Sequence, residues 1–179
     1  MNHTDHVNLL RNGIPAPGGV WADLGAGEGA FTLALAELIG PTGMIYAVDR
    51  TAGALRTLAQ AMRQHFPRVA LHTVTADFTA PLALPLLDSP VLDGIVLANS
   101  LHFQRQPAPV VRRLKEYLQP GGRMVVVEYD TEQGNFAVPH PISYGRWARL
   151  AQECGFAHTE LLATRPSRFL RAIYAAASW

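Results

Sequence analysis

A single cysteine, Cys154, stands among 179 residues, so no disulfide can close within the chain and a cysteine-based metal site lacks its ligands. No apolar run reaches the ~20 residues of a membrane span. The polar stretch Met1–Arg11 holds no signal-peptide core. Charge is sparse as well. Only 16% of residues are charged, 15 basic against 14 acidic, for a net +1. That balance offers no electrostatic footprint for nucleic acid or an anionic membrane. These absences leave a cytoplasmic globular protein as the expectation. What is present agrees, because 49% of the residues are hydrophobic and the chain is long enough for one cored domain. Residues 1–179 read as a single domain, with 1–18 a short leading segment.

Strand-like and helix-like segments alternate along the chain. Val20–Leu24, Met44–Val48, Val69–Val74, Leu92–Ala98 and Arg123–Glu128 read as apolar strands. Between them, Ala30–Ile39, Ala52–Gln64 and Pro109–Leu118 carry apolar residues at helical spacing. Pro120-Gly121-Gly122 reads as a turn into the fifth strand. Ser143–Glu153 follows as a helix with Ser143 as N-cap. Phe156–Ala163 and Arg168–Ala176 read as two closing strands. The alternation predicts an α/β, Rossmann-like doubly wound sheet of seven strands, mostly parallel, with an antiparallel C-terminal strand. Ligands of such sheets sit at the carboxyl ends of the strands. At most one short helix, near Asp5–Arg11, fits before the first strand. His3 and His6 are expected on a mobile tail.

The chemistry concentrates at residues 20–29, V-W-A-D-L-G-A-G-E-G. Gly25, Gly27 and Gly29 let a ligand lie against the turn, and the following helix points free N–H groups at it. Taken alone, Gly25–Ala30 also satisfies the relaxed dinucleotide pattern G-x-G-x-x-(G/A). Three features favour another ligand. Asp23 welcomes a positive group, Glu28 would repel a pyrophosphate, and Asp49 at the end of strand two can accept from both ribose hydroxyls. Asp49 suits either ligand class.

The pieces D-L-G-A-G-E-G (23–29), Y-A-V-D (46–49), A-D-F (76–78), L-A-N-S-L-H-F (97–103) and L-Q-P-G-G-R-M-V-V-V-E (118–128) come in this order. With them the chain resembles the class I S-adenosylmethionine-dependent methyltransferases, over roughly Gly18 to Ala176. A-N-S-L-H-F and V-V-V-E-Y are most similar to the small quinone- and sterol-methylating type. The resemblance implies S-adenosylmethionine as cofactor, S-adenosylhomocysteine as product, and a small or lipophilic acceptor. It implies that Gly25, Ala26, Gly27 and Gly29 cradle the methionine part and that Asp23 meets its amino group. Asp49 would hold the ribose and Arg50 would cover the adenine. Asp77 and the Phe78 backbone would meet the base, and Asn99, Ser100 and Leu101 would line the methionine side. The short N-terminus departs from that type, which places helices over the substrate. A large substrate, a partner chain or a dimer mate would complete an open side. A nicotinamide-dependent oxidoreductase and a catalytically silent partner subunit are the competing readings.

Methyl transfer from a sulfonium needs nucleophile and methyl in line at about 3–3.5 Å, an orienting effect worth ~7–11 kcal/mol. A general base adds ~10²–10⁴-fold where the acceptor must lose a proton. His102 follows the fourth strand at the ligand edge, and imidazole exchanges protons near neutrality. Glu128, ending strand five, faces either the substrate or an arginine. Tyr129 and His140 are weaker candidates. Cys154, Trp147 and the Leu-rich stretch 82–87 read as core. No D/N-P-P-Y/F follows strand four, which argues against base amino groups as targets. One cysteine argues against the paired-cysteine cytosine mechanism and thiol-rich arsenic methylation, and no metal-holding carboxylate set is evident.

Overall fold

The computed structural model describes residues 1–85, 91–167 and 169–179. The leading segment is ordered by its own cap. Asn2 Oδ1 accepts the Asp5 N–H at 2.9 Å and Asp5 Oδ2 accepts the Asn2 N–H at 3.0 Å, a capping box that starts helix α1 (His3–Leu10). Val7, Leu9 and Leu10 bury the inner face of α1 against helix α2 (Ala30–Ile39). The mobile-tail reading of His3 and His6 is therefore corrected. His3 Nε2 lies 2.7 Å from Glu37 of α2, and the His6 ring sits 4.7 Å from that of Phe31. A 3-10 turn, Arg11–Gly13, ends the segment.

Strands β1 (Val20–Leu24), β2 (Met44–Asp49), β3 (Ala70–Thr75), β4 (Leu92–Ala98), β5 (Leu118–Tyr129), β6 (Thr159–Pro166) and β7 (Ala172–Ser178) form one sheet in the order β3-β2-β1-β4-β5-β7-β6. The first five are parallel, and β7 runs antiparallel to β5 and β6. This is the Rossmann-like arrangement expected from the alternation. The two-residue period divides the core cleanly. Trp21, Ile45, Ala47, Val125 and Val127 face α1, α2 and helix α3 (Ala52–His65). Ala22, Tyr46, Val48, Met124 and Val126 face helices α4 (Ala108–Lys115) and α5 (Tyr144–Glu153). Gly94 of β4 is required by its neighbour on β1, since a Cβ there would lie 2.1 Å from the Trp21 ring.

Helix α4 stops three residues short of the expected Leu118. Glu116 and Tyr117 donate to carbonyls three residues back, and the Tyr117 carbonyl already accepts the Leu92 N–H at 3.1 Å. Strand β5 accordingly starts at Leu118 rather than Arg123. Its pairing jumps from Leu92↔Leu118 to Gly94↔Arg123, so Pro120-Gly121-Gly122 is a bulge inside the strand rather than a turn before it. Strand β3 and the closing pair β6 and β7 lie one to four residues later than expected, and Arg168, the expected start of the last strand, lies outside the described residues. Of the Leu-rich stretch, Leu84 is buried and Leu82 packs against the core, while Leu86 and Leu87 lie outside the described residues. Trp147 is fully buried, and Cys154 caps α5 with its thiol 3.6 Å from the Ala108 carbonyl.

Candidate functional site

The sheet order reverses at β1, where strands added on one side run toward β3 and on the other toward β5. A cleft of about 160 Å³ opens there at the carboxyl edge. The loops after β1, β2, β3 and β4 build it, contributing Gly25, Asp49, Asp77, Phe78, Asn99 and Ser100 among others. Six of the residues expected from the motifs thus converge on one hollow, and Arg50 lies at its rim. A larger cavity, about 670 Å³, lies between Gln106–Pro109 and α5 and contains none of them.

Gly25 has φ +82°, and a Cβ on it would fall 2.6 Å from that of Ser100, so only glycine lets the turn pass beneath the β4 loop. The Ser100 hydroxyl ties the two strand ends together by donating to the Leu24 carbonyl at 2.9 Å. Ala26, Gly27 and Gly29 carry the turn into α2 without lining the hollow. Asp49 accepts the Gly27 N–H at 2.9 Å on one oxygen and the Thr51 N–H at 2.8 Å on the other. Each oxygen keeps a free lone pair, which suits a vicinal diol. Asp77 repeats the device, as its Oδ1 accepts the Thr79 N–H and hydroxyl at 2.9 and 2.7 Å. The Thr79 hydroxyl and then its backbone N–H hold the Asp77 carboxyl below the usual range, with Arg50 adding to the effect from 3.7 Å. Thr51 and Thr79 escaped the motif reading. Their signal was present, since D-x-T follows both β2 and β3 and is an Asx-turn pattern. Asn99 adopts φ +51°, and its buried Oδ1 has no partner among the described residues. A hollow with an unpaired buried acceptor, a diol-ready carboxylate and a glycine floor fits a nucleoside that carries an ammonium group.

Asp23 stands apart. It is 1% exposed, does not line the hollow, and accepts the Thr32 hydroxyl at 2.6 Å. Burial pushes its pKa up to about 6, with the Thr32 bond opposing and Asp49 adding to the rise. The folded protein therefore holds this proton more tightly than the unfolded chain. The contribution to stability is complete below the unfolded pKa, near 4, and is lost as pH rises through about 6. Asp23→Asn, which keeps an acceptor for Thr32, should be close to neutral in denaturant melts at pH 4. It should gain up to ~3 kcal/mol over wild type at pH 8. A difference that does not change with pH would refute this account.

Beyond the hollow, His102 and Glu128 come together in a way no local motif announces. Glu128 is fully buried and His102 is 3% exposed. Glu128 Oε1 accepts the N–H groups of Leu101 and His102 at 3.0 and 3.2 Å, and Oε2 lies 2.6 Å from His102 Nδ1. Glu128 thus neither pairs with an arginine nor opens to a substrate, which corrects the expectation. A carboxylate only accepts, so Nδ1 carries a proton, and in the neutral imidazole it is Nε2 that presents the lone pair. The His140 N–H donates to the His102 carbonyl at 3.1 Å, and the Tyr129 ring lies 6.4 Å from the imidazole. Both residues border the pair.

The model of a family described as "Methyltransferase domain" matches residues 17–162. A 2-phytyl-1,4-naphtoquinone methyltransferase from Nostoc punctiforme is 28% identical over 107 residues, 60% of this chain and 45% of the relative. The chain therefore spans less than half the length of that relative. Among solved structures, an O-methyltransferase of putative assignment from Nostoc punctiforme superposes with TM-score 0.75 at 17% identity, over 99% of this chain and 57% of that one. An S-adenosylmethionine-dependent methyltransferase from Aquifex aeolicus gives TM-score 0.73 at 16% identity, over 97% of this chain and 88% of that one. The family match sets aside the dinucleotide reading of the glycine turn.

Proposed function

From the premise that this chain belongs to the methyltransferase domain family, whose fold makes S-adenosylmethionine its cofactor, we propose that it transfers a methyl group to a small or lipophilic acceptor with His102 as general base. The observation that carries the reading is the buried pair of His102 and Glu128 beside a four-loop hollow. Asp49 would hold the ribose hydroxyls. Asp77 and the Phe78 backbone would meet the adenine, with Arg50 over it. Gly25 would floor the methionine part, with Ala26, Gly27 and Gly29 shaping the turn behind it, and Asn99 and Ser100 would line its side, backed by the buried Leu101. Asp23 would act from beneath the turn, as a buried negative charge favouring the ammonium group. When bound, the cofactor supplies a methyl already activated by positive charge on sulfur, so the protein has only to orient the acceptor and accept its proton. Glu128 fixes the imidazole in the tautomer that can do so. A naphthoquinone-like acceptor is consistent with the Nostoc relative's name.

Calorimetric titration with S-adenosylhomocysteine tests the reading. Saturable binding is expected, weakened roughly 10–100-fold in Asp49→Ala through loss of hydrogen bonds to a charged acceptor. NAD should give no heat. Binding of NAD in place of S-adenosylhomocysteine would overturn the assignment.

A further inference from the structure

Among the described residues, five large hydrophobic side chains are exposed, and three of them are phenylalanines at one edge of the sheet. Phe103 follows β4 and is 53% exposed, Phe136 follows β5 and is 96% exposed, and Phe169 lies in the β6–β7 hairpin and is 50% exposed. Because β6 and β5 both run antiparallel to β7, that hairpin emerges at the same carboxyl edge as the ends of β4 and β5. Phe31 and Phe156 are buried, and Phe66 and Phe78 are partly so. Exposed phenylalanine is thus confined to the ligand edge.

Each of the three is held out by side-chain bonds to backbone. Asn135 Oδ1 accepts the N–H groups of Ala137 and Val138, both at 2.9 Å, while Val138 at 2% exposure anchors the loop and Phe136 is extruded. Ser167 Oγ accepts the N–H groups of Phe169 and Leu170 at 3.1 and 3.4 Å. Glu128 pins the turn that carries Phe103. Rigid presentation removes most of the ordering cost of inserting an aromatic ring into an apolar phase.

We propose that this edge docks on a phospholipid bilayer, inserting Phe103, Phe136 and Phe169. The three rings come from separate loops, with Phe103 4.4 Å from the His102 ring and Phe169 5.7 Å from that of Tyr129, and exposed aromatics spread over several loops suit a fluid interface more than a shape-matched protein partner. Arg105 and Arg171, exposed on the Phe103 and Phe169 loops, have no side-chain partner among the described residues and can meet headgroup phosphates. Three acids of the same edge are engaged, while Glu28 after β1 is exposed. Asp130 accepts the Tyr144 N–H at 3.0 Å, Glu132 accepts the Ser143 hydroxyl, and Asp77 faces Arg50. Phe103 also lines the hollow, so the docked face opens toward the place where a lipophilic acceptor would enter. The near-zero net charge hides this surface, because it is local and mainly apolar.

Co-sedimentation of the full chain with vesicles of phosphatidylcholine and phosphatidylglycerol (7:3), without cofactor, tests it. Wild type should pellet with lipid. Phe136→Ala and Phe169→Ala should each lower partitioning about tenfold, with S-adenosylhomocysteine affinity and Tm unchanged. Wild type left in the supernatant at millimolar lipid overturns the proposal, as does undiminished binding by Phe136→Ala. A solution dimer broken by Phe136→Ala, with no vesicle binding, overturns it in favour of a second copy. None of these results depends on turnover, so failure here stays distinct from failure of the methyltransferase reading.

Discussion

Glu128→Ala is expected to lose ~3–5 kcal/mol of folding stability, while Glu128→Gln keeps most of the fold and loses methyl transfer. The difference follows from the donors that converge on one carboxylate. Alanine leaves the Leu101 N–H, the His102 N–H and the His102 Nδ1–H without their acceptor in a fully buried place. Removing the buried charge returns some desolvation energy, but the orphaned donors remain. Glutamine behaves otherwise. Its carbonyl oxygen can still accept both backbone N–H groups, and its NH₂ then faces His102 Nδ1. A donor there forces the imidazole to carry its proton on Nε2, which is the wrong tautomer for a base on that side. Urea melts should separate the two variants by several kcal/mol. Turnover on a panel of phenolic and quinol acceptors should be lost in both, and S-adenosylhomocysteine affinity in Glu128→Gln should stay within a fewfold of wild type. Full activity in Glu128→Gln would remove the basis for His102 as base.

The parts of the fold that were legible in the residues share a physical cause. Strand β1, helix α2 and strand β4 have the bounds expected from the sequence, because glycine or proline punctuates both ends of β1 and α2 and precedes β4, and alternation within the strands serves two buried faces. The errors fall where a long-range bond outbids a local signal. Helix α4 yields its last turn because the Tyr117 carbonyl is engaged by Leu92 from β4, and Pro120-Gly121-Gly122, a turn by composition, is absorbed as a bulge once Leu118 pairs with Leu92. The tail histidines are ordered by a capping box, N-x-x-D, that was visible in Asn2 and Asp5 but lay outside the apolar pattern. The site divides the same way. Gly25, Asp49 and Asp77 were legible because each ends or follows a strand at the carboxyl edge. The bonds between Glu128 and Leu101 and His102 span 27 and 26 residues, and only the β4–β5 register brings the two strand ends side by side.

His102→Ala should lower kcat by ~10²–10⁴ for an acceptor that must shed a proton, with the affinity for S-adenosylhomocysteine held within a fewfold. The side chain is nearly buried and its Nδ1 is committed to Glu128, so the one nitrogen left to act is Nε2. Truncation takes the donor from the buried Glu128 Oε2, at a cost in stability, but leaves Oε1 with its two backbone donors, which keep the Leu101–Phe103 turn in place. Added imidazole, able to enter the space vacated, should restore part of the rate, an effect that a purely structural histidine would not show. The double variant His102→Ala/Glu128→Gln should be no slower than His102→Ala alone, since Glu128 acts on the reaction only through the imidazole. A double variant tenfold slower than His102→Ala would mean that Glu128 reaches the acceptor by another route. An acceptor methylated as fast by His102→Ala as by wild type would be one whose nucleophile needs no base, and the pair would then serve to hold the β4 loop.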